Sequence, residues 1–73
     1  MDLDLDLGLV RAFVVTAEEL HFGRASQRLG VSQQALSKRI ARLEEVLDAS
    51  LFERSTRTTG LTESGLALPR ARR

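Results

Sequence analysis

The sequence predicts a mainly α domain of three helices and a two-stranded hairpin, followed by the start of a fourth helix. Three observations carry this. Apolar residues recur at helical spacing along the first twenty residues and again from Leu36 to Leu47. Gly30, Val31 and Ser32 punctuate the chain between the second helical stretch and the third. After Asp48 the pattern shortens to strand length.

Size and composition narrow the classes. The chain has 73 residues, 42% of them hydrophobic, which suits one small domain rather than two. Cysteine is absent and His21 is the only histidine, so neither a disulfide nor a zinc site of thiolates or clustered histidines can staple the fold. No apolar run approaches the ~20 residues of a membrane span. The start, MDLDLDLG, is acidic where a secretory signal is basic. The expectation is an intracellular domain in the cytoplasm, with no metal, no cofactor and no membrane partner.

The first helix places Leu5, Leu9, Phe13 and Ala17 four apart, with Val10 and Val14 beside them. Asp2, Asp4 and Asp6 lie near its N-terminus, where the helix dipole favours negative charge. A second helix is predicted from about Gly23 to Leu29, with Phe22, Ala25 and Leu29 on one side and Gly30 as its stop. Ser32 offers an N-cap to a third helix, about Gln33 to Leu47. Leu36, Ile40, Leu43 and Leu47 share one face of it; the opposite face carries Gln34, Lys38, Ala41 and Glu45, flanked by Ser37 and Arg42.

Leu51 to Ser55 and Leu61 to Thr62 read as two strands, joined by a polar tip from Thr56 to Gly60 that contains Arg57. Thr62 reads as another N-cap, followed by Glu63 in the first turn and then by Leu66, Leu68 and Ala71. Pro69 is expected to kink or break that last helix. The chain stops inside it, which predicts continuation in a longer protein.

Charge is sorted into blocks. Arg24, Arg28, Lys38, Arg39 and Arg42 fall in a stretch without acids, while Glu44, Glu45, Asp48 and Glu53 follow together. Such sorting fits a face built for a polyanion, and it equally fits ordinary solvated helix faces. Two helices joined by a tight glycine turn, then a hairpin, describe a winged helix-turn-helix, in which the third helix forms a ridge able to enter the DNA major groove.

The segments RAFVVTAEE, ASQRLGVSQQALSKRI, LEEVL and LFERSTRTTGLTESG, in that order, resemble the N-terminal DNA-binding domain of LysR-type bacterial transcriptional regulators. The resemblance implies a winged helix-turn-helix over residues 1–61 and, over 62–73, the start of a linker helix that pairs two chains. It implies a homodimer, with larger assemblies in the full protein, binding imperfect inverted repeats in double-stranded DNA. It also implies a small co-inducer bound by a further domain. Three positions depart from the family pattern. Gly23 stands where Ser or Thr caps the second helix, Ser26 stands where alanine is frequent, and Gln34 stands where proline is common. The last implies a base preference at the contacted step different from that of relatives with proline there.

Gln33, Gln34, Ser37 and Lys38 are the expected contacts to bases and nearby phosphate, since glutamine can pair with adenine and lysine can reach guanine acceptors. Arg42 is either a phosphate contact or a surface partner of Glu44 or Glu45. Ser32 is chiefly a cap, with first-turn amides open to a phosphate. Arg24 and Arg54 are expected on the DNA backbone, and Arg57 at the wing tip in the minor groove. Arg28 is open between phosphate and Glu18 or Glu19. Leu66, Leu68 and Ala71 are expected in a dimer seam. His21 reads as a turn residue, and Phe13, Phe22 and Phe52 as core. A protein-docking role is the alternative, since the fold also serves that use. Catalysis has no paired nucleophile and base to rest on.

Overall fold

A computed structural model describes residues 7–55 and 58–68. The elements run α1 (Leu7–Glu19), α2 (Phe22–Leu29), α3 (Gln33–Leu47), β1 (Phe52–Arg54), β2 (Thr59–Leu61) and α4 (Glu63–Ala67). The mainly helical winged helix-turn-helix expected from the sequence is what forms. Leu5 and the three N-terminal aspartates lie outside the described residues.

The core is where the apolar stripes of the three helices converge. Leu36, Ile40 and Leu43 of α3 are buried, as their spacing requires. Against them pack Leu9, Ala12, Phe13, Val15 and Ala17 of α1, Phe22 and Ala25 of α2, and Leu51 and Phe52 of the wing. On α1 the expected positions Leu9, Phe13 and Ala17 are buried, while the residues beside them differ from expectation. Val10 is exposed and Val14 only half-buried, while Ala12, Val15 and Thr16 are inside. A residue every fourth position drifts 40° per step on a helix of 100° per residue, so α1, packed against both α2 and α3, buries a wider face than one stripe. The Thr16 hydroxyl is fully buried with no hydrogen-bond partner among the described residues, an uncommon state for a polar group.

The two interhelical turns are built differently. Between α2 and α3, Gly30 adopts φ 71°, and its N–H reaches back to Gln27 and Ser26 carbonyls. Val31 N–H donates to the Ser26 carbonyl at 3.1 Å, and Ser32 Oγ accepts from Ala35 N–H at 3.0 Å. This is the predicted glycine stop and serine cap. Between α1 and α2 the left-handed position, φ 50°, belongs to Leu20. The cap there is His21, whose Nδ1 accepts from Arg24 N–H at 3.0 Å. The expected start near Gly23, with glycine in the capping place, is therefore corrected: Gly23 is inside the helix. A Cβ there would sit 3.0 Å from the His21 ring, so the missing side chain makes room for the cap.

α3 ends at Asp48, itself left-handed at φ 54°. Glu44 then turns back into the fold, its Oε2 accepting from Leu51 N–H at 2.8 Å. Phe52 pairs with Leu61, Glu53 with Gly60 and Arg54 with Thr59 in an antiparallel ladder. Thr59 and Gly60 thus belong to β2 rather than to the tip. The turn is tied by Ser55 N–H to the Thr58 carbonyl at 2.9 Å and by Thr58 N–H to Ser55 Oγ at 3.0 Å.

Thr62 caps α4 as expected, accepting from Gly65 N–H at 3.0 Å. Its hydroxyl also donates to the Ser50 carbonyl, and its N–H to Leu51 O at 3.0 Å. α4 lies directly on the wing because Gly65 is bare: a Cβ there would run into the Leu51 carbonyl and come within 2.9 Å of Leu61 Cδ2. Leu68 is extended, φ −71° and ψ 136°, the conformation that a following proline favours.

Candidate nucleic-acid interface

α3 projects its polar residues as one row. Burying Leu36, Ile40 and Leu43 leaves the other side of the helix to solvent, and the first two turns of that side carry Gln33, Gln34, Ser37 and Lys38. These four line a single open groove. Gln33, Gln34 and Lys38 are exposed, and Ser37 is half-buried at the row's inner edge. The Ser32 cap fixes the start of the row, so the two glutamines stand in the first turn, where side chains of a ridge helix reach furthest.

The wing meets this row at Arg54. Its Nη1 donates to Ser37 Oγ at 3.4 Å, and its guanidinium lies 4.2 Å from the centroid of the Phe22 ring. Phe22 stands edge-on to Phe52, 5.8 Å between centroids, and Phe52 is tilted against Phe13 at 5.6 Å. A short stack of rings therefore runs from the core to the arginine. Arg57 and Ala71 lie outside the described residues.

The remaining cations divide by partner. Arg24 is held by Glu19, with Nε to Oε1 at 3.2 Å. Arg28 Nη1 bridges Glu18 at 2.9 Å and Glu19 at 3.2 Å, so of its two readings the acidic partner is the one formed. The Arg24 hydrogen bond, opposed by desolvation and assisted by Arg28, holds the Glu19 carboxyl below its ordinary range. Arg42 lies 3.9 Å from Glu45, not at Glu44, which is engaged with Leu51. Lys38 and Arg39 have no ion-pair partner among the described residues and point to solvent. Arg39 is a cation that sequence reasoning counted in its block but did not single out; its place beside Ala35 and Arg42 on the helix wheel is the signal that was present.

At the far end, Leu66 is 61% exposed, whereas Leu68 is half-buried against the domain's own core. Among the described residues no group of three His, Asp or Glu is placed to hold a metal, and no helix is long and apolar enough to cross a membrane.

The known proteins to which this chain is similar include bacterial regulators. Residues 7–66 match the family described as bacterial regulatory helix-turn-helix protein, lysR family. The transcriptional regulator ShiR of Corynebacterium glutamicum is 48% identical over 69 residues, covering 93% of this chain and 23% of ShiR. An OxyR mutant from the same species superposes with TM-score 0.83 at 39% identity, over 90% of this chain and 21% of that one. The BenM DNA-binding domain, solved on its catB site 1 DNA, superposes with TM-score 0.80 at 37% identity, over 85% of this chain and 69% of that one.

Proposed function

The chain belongs to the lysR family of bacterial regulatory helix-turn-helix proteins, and from that premise we propose that it binds double-stranded DNA in a sequence-specific way, with α3 in the major groove and the wing on the backbone or in the minor groove. The observation that carries the reading is the row Gln33, Gln34, Ser37 and Lys38 on one open surface of a helix whose leucines are all turned inward. Amides, a hydroxyl and an ammonium are the groups that read base edges. The BenM domain of like fold was solved on DNA, which supports the same docking here.

Affinity comes from Lys38, Arg42, Arg54 and Arg57 near phosphates, with the first-turn amides of Gln33 and Gln34, which the Ser32 cap leaves open, available to another. Arg24 reaches a phosphate only by leaving Glu19. The domain covers a small part of its longer relatives, 23% of ShiR. The protein as a whole is proposed to act in the cytoplasm as a dimeric regulator on inverted-repeat operators, answering a small co-inducer held by another domain. Leu66, exposed on α4, supports a seam between two chains. Leu68 gives the seam only the side it does not turn to its own core, and Ala71 is proposed to extend it.

Titration of random and selected duplexes at several salt concentrations tests the reading. Six neutralised phosphates give a slope of log affinity against log salt of about −5. A slope near zero, or equal affinity for every sequence, overturns it. Gln34→Ala is expected to change which site is preferred rather than to weaken all sites alike.

A further inference from the structure

One side chain joins the wing to the reading face, and its chemistry constrains what that face can read. Arg54 lies over the Phe22 ring at 4.2 Å and donates from Nη1 to Ser37 Oγ at 3.4 Å. A guanidinium stacked on an aromatic face keeps its plane, so its donors point in set directions, unlike the freely turning ammonium of lysine. The ring beneath it is buried and braced by Phe52, which holds the stack to the core. Ser37 sits among Gln33, Gln34 and Lys38, and the bond from Arg54 is the one its hydroxyl makes among the described residues.

A serine hydroxyl has one proton and two lone pairs. With a cationic N–H on one lone pair, the hydroxyl is polarised and its proton becomes the better donor. We infer that Arg54 is a positioning residue that biases Ser37 toward donating its proton into the groove, so that a base presenting an acceptor is preferred opposite it. Guanine O6 and N7, adenine N7 and thymine O4 qualify; the cytosine edge offers its N4 donor, which can meet only the remaining lone pair, and is disfavoured. This rests on the proposed DNA-binding reading and adds a role for Arg54 beyond its charge.

The test is selection of bound sites from a randomised duplex pool by the wild-type chain, Ser37→Ala, Arg54→Lys and the double variant, with the salt slope measured on the best site. Ser37→Ala identifies the base pair by flattening the preference there. At that pair the wild type is expected to disfavour cytosine by about fivefold, the value of one modest hydrogen bond. Arg54→Lys keeps the charge, hence the salt slope, and is expected to flatten the same base pair and no other. The double variant is expected to add nothing further. The inference is overturned if Ser37→Ala flattens no position, if Arg54→Lys leaves the preference at that pair intact, or if it weakens all sequences equally. A wild-type chain that retains no duplex at all overturns the DNA-binding reading itself, and this inference with it.

Discussion

The two interhelical turns solve one problem with different residues. Each must stop a helix, reverse the chain through a left-handed residue and cap the next helix. The α2–α3 turn does so with Gly30 at φ 71° and a Ser32 cap. The α1–α2 turn uses Leu20 at φ 50° and a His21 cap. Glycine accepts a positive φ without steric cost; a leucine carries a Cβ that crowds the following carbonyl. Serine brings a small hydroxyl, histidine a ring that packs closely over the bare Gly23 beside it. The same geometry can thus be relaxed in one place and strained in another, and only the relaxed version is written in residues that announce it.

The sharpest way to break the contrast is to make the relaxed turn like the strained one. Gly30→Ala meets no neighbour within 4 Å, so its cost is conformational alone, about 1–2 kcal/mol; urea unfolding should show that loss with an unchanged m-value. Ser32→Ala removes the α3 cap and is expected to cost about 1 kcal/mol, seen in the same unfolding curves; DNA affinity should fall as well, because the cap holds in place the open first-turn amides of Gln33 and Gln34 proposed to meet a phosphate. Leu20→Gly tests the other side. Leu20 is 42% exposed, so more than half of it is covered; relief of the left-handed strain is offset by the lost packing and by glycine's extra freedom in the unfolded chain, and the net loss should stay below about 1 kcal/mol, smaller than that of Gly30→Ala. A loss larger than that of Gly30→Ala would mean that the leucine's packing outweighs its backbone strain.

The smallest effect concerns the charges that brace the strained turn. Arg24 and Arg28 hold the Glu19 carboxyl below its ordinary pKa. A carboxyl lowered in the folded state adds stability that is present above its unfolded pKa and fades as pH falls through the lowered value. Glu19→Gln should therefore flatten the acid side of a melting-temperature profile slightly, with added salt weakening the difference because Arg24 and Arg28 meet the half-buried carboxylate at the surface. The α2–α3 turn, which has no such network among the described residues, should show no matching salt dependence.

Legibility followed the same line. Leu36, Ile40 and Leu43, the glycine stop at Gly30 and the caps Ser32 and Thr62 were all readable, because period and capping chemistry are local. The row from Gln33 to Lys38 was readable for the same reason, being the complement of the buried stripe. The His21 cap was not, since histidine seldom signals a helix start, and Leu20 carries no mark of a positive φ. Thr16, lodged in an otherwise apolar face, broke no pattern visible in one dimension. Glu44 on the Leu51 amide and Arg54 on Ser37 join positions seven and seventeen residues apart, and no spacing rule links residues on different elements.

Gly65 has a consequence for how this domain can hand itself on. α4 is seated against the Leu51 carbonyl, main chain on main chain, where only a hydrogen atom fits between. Side-chain packing can creep as leucines become isoleucines or methionines, but a contact between two backbones has no such slack. The seat of α4 on the wing is therefore fixed as by a machined shoulder. One added methyl at that position would lift α4 off the Leu51 carbonyl and tilt it away from the bearing the wing sets for it.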